Sequence, residues 1–163
     1  MNDHSLVTSS DASRQVCTFR LDGVLFGVDV RKVQEVLRAQ EMTRIPLAPH
    51  EVRGLINLRG QIVTAIDLRA RLGLPARDED APPPMNVVVQ TEDGATSLLV
   101  DEIGDVVEVD EATFERPPET LARRARELVR GVYKLQRQLL LLLDTERAIA
   151  VSSPAATSTG GPR

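Results

Sequence analysis

The chain of 163 residues has few aromatic side chains: no tryptophan, one tyrosine and three phenylalanines. Apolar residues nevertheless make up 42%, so a core can form but must be aliphatic, and its Val, Leu and Ile content favours strands. Cys17 is the single cysteine, which rules out an intramolecular disulfide or a paired-cysteine site and fits a reducing compartment. His4 and His50 are the two histidines, and His4 sits in a polar N-terminal stretch, so a histidine-based metal site has almost nothing to work with. No run approaches the ~18–20 apolar residues of a membrane helix. The N-terminal MNDHSLVTSSDASR lacks the charged-then-apolar build of a signal peptide. A cytoplasmic protein without membrane insertion is expected. Net charge is −4, and no Lys/Arg cluster of the size that phosphate binding needs is present, so nucleic acid is not an expected partner.

Motifs of cofactor and nucleophile chemistry are missing as well. Neither GxGxxG nor GxxxxGK[ST] occurs, so no phosphate cradle is indicated, and there is no GxSxG elbow. His50 lies between Pro49 and Glu51 with no evident Ser or Cys partner. No cofactor, metal or catalytic residue is expected from these patterns.

What the chain does contain is strand signal between breaker-rich stretches. Residues 1–14 and 152–163 are small and polar and read as disordered tails, leaving a folded part at 15–151. The stretch ARDEDAPPP (76–84) reads as a stiff exposed connector between lobes at roughly 15–75 and 85–151. VCTFRL and VLFGVDV meet at Asp22-Gly23, a dipeptide suited to a tight hairpin. VRKVQEVL (30–37) reads as a short helix capped by Asp29, with Val30, Val33 and Val36 or Leu37 as one apolar stripe. GLINL and QIVTAI form a hairpin around Arg59-Gly60, and Asp67 caps a short helix, LRARL, stopped by Gly73. After the connector come MNVVVQT, TSLLV and EIGDVVEV. A helix at LARRARELV, a hairpin of GVYKL with QLLLLLD, and a last helix begun by Asp144 complete the pattern.

The chain also repeats itself. GLINLRGQIVTAIDL (54–68) lies over GVYKLQRQLLLLLDT (131–145) without a gap, matching Gly54 to Gly131, Gln61 to Gln138 and Asp67 to Asp144. FGVDVRKVQEV resembles LLVDEIGDVVEV when one residue is inserted. Two copies of a β-rich unit of about 60–70 residues follow, and units this short suggest small closed barrels, because closure removes exposed strand edges. A groove between two such barrels is a natural binding place. One aspartate per copy also raises the alternative of a hydrolase using Asp67 and Asp144 as a carboxylate pair, against which helix capping is the plainer explanation. Arg123, Arg124 and Arg126 read as the solvated face of a short helix. Glu35 lies within reach of a turn arginine such as Arg59.

Taken together, FGVDVRKVQEVL, then RIP with VRGLINLRGQIVTAIDLR, then SLLVDEIGDVVEV resemble the CheW-like family of chemotaxis coupling proteins, over residues 15–151. The resemblance implies an all-β fold with short helices, built of two intertwined, five-stranded, SH3-like barrels. It also implies a non-enzymatic adaptor that binds the cytoplasmic hairpin tip of methyl-accepting chemoreceptors and the regulatory domain of a CheA-type histidine kinase. A CheW-like array linker that binds other CheW-like proteins, or an adaptor of a pilus or gliding pathway, is the neighbouring alternative. By position, the resemblance assigns receptor contact to Val33, Glu35, Val36, Gly54, Leu55, Asn57, Arg59 and Gly60, joined by Val100, Ile103 and Val106 from the second lobe. One departure is Val63-Thr64-Ala65-Ile66-Asp67, where the family often carries a proline in the strand.

Overall fold

The computed structural model describes residues 13–151. Both tail readings therefore fall outside the described residues, except that Ser13 and Arg14 already belong to a strand. The order is β1 (Ser13–Leu21), β2 (Val24–Asp29), a 3-10 turn (Val30–Lys32), β3 (Val33–Leu37), β4 (Val52–Leu58), β5 (Gln61–Asp67) and α1 (Leu68–Leu72). The second half runs β6 (Met85–Thr91), β7 (Gly94–Val100), β8 (Glu102–Asp110), a 3-10 turn (Glu111–Thr113), β9 (Phe114–Glu115), α2 (Arg123–Leu128), β10 (Val129–Lys134), β11 (Leu139–Leu143) and α3 (Thr145–Ile149). The fold is mostly β, as expected, with two sheets.

The hydrogen bonding does not follow the division at the proline connector. One sheet has the order β8-β1-β2-β11-β10-β9 and the other β3-β6-β7-β5-β4. The β1–β2 hairpin of the first half thus sits among the strands of the second, and β6–β7 sits among those of the first. Each exchange is made through one parallel contact, Phe26 and Gly27 of β2 with Leu141 and Leu142 of β11, and Thr64–Asp67 of β5 with Thr96–Leu99 of β7. All other strand pairs are antiparallel. The sheets have six and five strands, and the pairings described do not close either one into a ring.

The repeat seen in sequence is a repeat of local geometry. Both β4–β5 and β10–β11 carry a register shift just before the matched glycine, Gly54 or Gly131. A Cβ on Gly54 would lie 2.5 Å from the Thr43 carbonyl oxygen, and one on Gly131 would lie 2.2 Å from the Phe114 ring and 2.6 Å from the Glu115 oxygen. A crossing backbone segment occupies that space in each copy: Thr43, bridged to Leu55, in one, and β9 in the other. Asp67 and Asp144 both cap helices, accepting the backbone N–H groups of Ala70 (3.3 Å) and Arg147 (3.1 Å).

Three apolar layers result from alternation along the strands. In β11, Leu140 and Leu142 turn to a cluster with Val16, Leu25, Val109 and Tyr133 within the six-stranded sheet. Leu141 and Leu143 turn to the main core between the sheets, where they join Phe19, Phe26, Val87, Leu98 and Val100. The five-stranded sheet encloses Ile56, Leu58, Val63, Ala65, Val88 and Leu99. Burial on both faces explains the uninterrupted leucine run of QLLLLLD, each buried leucine contributing about 1.5–3 kcal/mol. Cys17 belongs to the main core, and burial pushes its thiol pKa up.

One reading is corrected. Residues 33–37 form strand β3 and not a helix; only Val30–Lys32 coil, under the expected Asp29 cap, whose carboxylate accepts the Arg31 N–H at 2.9 Å. Pairing with β6 overrides the helical spacing, since Val33 and Leu37 gain burial in a sheet that an isolated turn would not give them. The connector is exposed over most of its length and is tied to the fold by Arg77, which donates to Asp101 (2.6 Å) and to the carbonyl of Pro82.

Asp101 is a junction. It accepts two bonds from Arg69 of α1 (3.0 and 2.8 Å), one from Arg77 of the connector and one from the Asp22 N–H in the β1–β2 turn (2.8 Å). Burial works to raise its pKa, but the Arg69 bonds, the Asp22 N–H and the charges of Arg69 and Arg77 outweigh it and hold the carboxyl below its ordinary range. A depressed folded-state pKa contributes stability at neutral pH that is lost as pH falls through it. Asp101→Asn should therefore lower unfolding free energy by about 2 kcal/mol at pH 7. In denaturant titrations the gap to wild type should narrow below about pH 4. Gly54→Ala and Gly131→Ala should each cost about 1–3 kcal/mol in the same assay, since backbone must move to admit the methyl group.

Candidate interaction surface

The first repeated hairpin ends in a two-residue turn, Arg59-Gly60, with φ of +53° and +91°. Both residues are left-handed, a geometry that matches strand twist and favours Asn, Asp or Gly at the first position. An arginine there is held in a costly conformation, about 1–2 kcal/mol for an L-residue. Asn57 steadies the turn, its Oδ1 accepting the Gly60 N–H at 2.9 Å. At the other repeated tip, Gln136-Arg137, the turn closes from Leu135 N–H to the Gln138 carbonyl (2.9 Å) without a left-handed residue. The two copies share strands and caps but not their tips.

Arg59 reaches across to β3. Its Nη2 donates to Oε2 of Glu35, and Gln34 Nε2 approaches Gln61 Oε1 at 3.5 Å. β3 and β4 lie at opposite edges of the five-stranded sheet, so these contacts show the sheet curled until its edges meet through side chains. Glu35 is largely covered (22% exposed) and Arg59 stands out (69%).

A bulge sets which β3 residues share a face. The β3–β6 register slips between Val33 and Glu35, so Val33 lies opposite Val89 and Val36 opposite Val87, both on the side of the main core. Glu35, opposite Val88, points to the inner side. The equivalent strand β8 does the same. Its register with β1 slips at Thr18, putting Ile103 opposite Phe19 and Val106 opposite Cys17, again on the main-core side. Val33 and Ile103 pack against that core, while Val36 (37% exposed) and Val106 (54%) reach solvent. The spacing of three that suggested a helical stripe is thus a bulged strand, present twice.

The predicted residues separate into two groups. Val36, Asn57, Arg59, Gly60 and Val106 are available at the surface, with Val33, Glu35, Leu55 and Ile103 half-buried. Val100 is fully buried in the main core and Gly54 is buried under Thr43, so both support the surface from beneath and offer no contact of their own. Sequence reasoning missed Ile62, opposite Asn57 and 60% exposed. Its signal was an apolar residue at an outward position of an alternating strand. The carboxylates of Asp67 and Asp144 are engaged as caps and with Arg53 (3.2 Å) and Arg147 (3.8 Å) respectively. Among the described residues no His, Cys, Asp or Glu group is arranged to hold a metal ion, and no helix is long and apolar enough to cross a membrane.

Comparison with known proteins identifies this architecture. The family model for the CheW-like domain matches residues 15–152, and the chain belongs to that family. Chemotaxis protein CheW of Treponema pallidum (strain Nichols) is 30% identical over 141 residues, 85% of this chain and 83% of the relative. The probable chemotaxis protein CheW of Rhizobium etli is 28% identical over 143 residues, 88% of this chain and 92% of the relative. The crystal structure of the scaffolding protein TtCheW from Thermoanaerobacter tengcongensis superposes with a TM-score of 0.73 at 29% identity, covering 80% of this chain and 88% of that one. The two sheets are thus the paired SH3-like units of a CheW fold, and the chain is a chemotaxis coupling scaffold.

The Arg59–Glu35 pair is largely exposed on one side, so its own contribution to stability is small. Arg59→Ala should change unfolding free energy by less than about 1 kcal/mol in thermal or chemical denaturation.

Proposed function

We propose that this scaffold joins the cytoplasmic hairpin tip of methyl-accepting chemoreceptors to the regulatory domain of a CheA-type histidine kinase, by binding and without catalysis. It does so in the cytoplasm, at the membrane-anchored receptor array. The observation that carries the reading is Arg59, held in a left-handed turn and bonded to Glu35. A strained, exposed cation with no packing role belongs to recognition more readily than to folding. Val36 and Val106 supply apolar contact on the faces of β3 and β8 that continue from the main core. A helical hairpin seated on those valines would meet Arg59, held in place by Glu35, as its orienting charge, a mode in which apolar anchors give affinity and charges give register. Val33, Leu55, Asn57, Gly60 and Ile103 complete the surface, with Gly54 and Val100 holding its backbone from below. The engagement of Asp67 and Asp144 as helix caps favours binding over a carboxylate-pair hydrolase.

Arg59→Ala should weaken capture of a receptor cytoplasmic fragment by roughly tenfold, about 1.4 kcal/mol, with kinase regulatory-domain binding unchanged. Failure of the purified wild-type protein to bind either fragment would refute the assignment. Binding of other CheW-like proteins but not kinase would instead identify an array linker.

A further inference from the structure

A second apolar face contains none of the residues proposed above for receptor contact, although Ile62, exposed opposite Asn57, borders both. It is a groove of about 1050 Å³ formed by the segment 45–52, β5, the β6–β7 turn and α3. Ile45, Pro49, Val52, Ile62, Ile149 and Val151 supply its apolar lining. Three carboxylates, Glu92, Asp93 and Glu146, also line it, and among the described residues no lysine, arginine or histidine does. Glu146 is partnered by Lys32 at 3.0 Å. Within the described residues the carboxylates of Glu92 and Asp93 take no hydrogen bond and no ion pair, so their charge faces the groove uncompensated.

Beside the groove stands Leu47. It is wholly exposed, and its φ of +64° lies in the region that favours glycine. The turn that holds it is closed only by a long contact, from Ala48 N–H to the Ile45 carbonyl (3.4 Å). No packing among the described residues accounts for a leucine in that backbone conformation, whereas contact with another molecule would.

We propose that this face docks a partner segment that is apolar and flanked by lysine or arginine. Its apolar side chains seat on Ile45, Val52 and Ile62 with Leu47 against their flank, and its cations meet Glu92 and Asp93. The commitment to a basic partner follows from charge: a groove with two unpaired carboxylates and, among the described residues, no lining cation repels an acidic segment and attracts a basic one. This inference is independent of the receptor and kinase reading and stands or falls separately from it.

The test uses the full chain, ¹⁵N-labelled, titrated with a synthetic peptide of alternating leucine and lysine and with a leucine–glutamate control. Amide shifts should concentrate at Leu47, Val52, Ile62 and Ile149 with the lysine peptide only. Affinity should drop roughly fivefold in E92Q/D93N, and again at raised salt. Leu47→Gly should lose a similar factor while leaving the melting temperature unchanged or higher, because glycine suits the backbone. Absence of groove shifts, or equal binding of the glutamate peptide, would overturn the proposal. So would a Leu47→Gly protein that melts lower yet binds normally, since Leu47 would then be structural. Sedimentation without peptide covers the other occupant: a dimer that Leu47→Gly dissociates would assign the face to a second copy and overturn the basic-segment reading.

Discussion

The structure depends on two parallel strand contacts, β2 with β11 and β5 with β7. Through them each half of the chain completes the sheet of the other. A β1–β2 hairpin alone would leave Phe19, Phe26 and Val28 in water, and an isolated hairpin is marginal at best. Inserted into the opposite sheet, the same hairpin buries one face in the main core and carries Val16 and Leu25 on the other. The exchange is reciprocal, so neither sheet is complete without both halves, and the 76–84 connector has to span them. Asp101 secures that arrangement by drawing the connector, α1 and the β1–β2 turn to one carboxylate.

The proposed interaction surface is a by-product of the same symmetry. β3 and β8 occupy equivalent edges of the two sheets, and each carries a one-residue bulge that brings residues three apart onto one face. Val33 and Ile103 anchor those edges to the core, leaving Val36 and Val106 accessible. Differences between the halves then lie where symmetry makes no demand, at the hairpin tips. The first tip holds Arg59 in a left-handed turn, and the second relaxes into Gln136-Arg137. Side-chain contact between Arg59 and Glu35 draws together the edges of a sheet whose backbone does not join them.

Binding by such a scaffold requires rigid edges with little chemistry of their own. Asp67 and Asp144 are spent on helix caps and Cys17 is buried in the core. The features that stand out among the described residues are surface ones: the turn arginine with its Glu35 partner, the exposed valines, and the acidic apolar groove beside Leu47.

Sequence by itself determined the local pieces. Alternating apolar residues marked the strands, Asp22-Gly23 and Arg59-Gly60 marked turns, Asp29, Asp67 and Asp144 marked caps, and the gapless repeat marked a duplicated unit. These are legible because each rests on neighbours in the chain. Tertiary structure alone decided that 33–37 is a bulged strand, since its burial comes from β6 some fifty residues away. It decided that Val100 and Gly54 lie beneath the surface, and that Asp101 gathers Arg69, Arg77 and Asp22. Strand exchange between halves has no local signature, because a hairpin reads the same whichever sheet receives it; only the complementarity of its two buried faces settles where it goes.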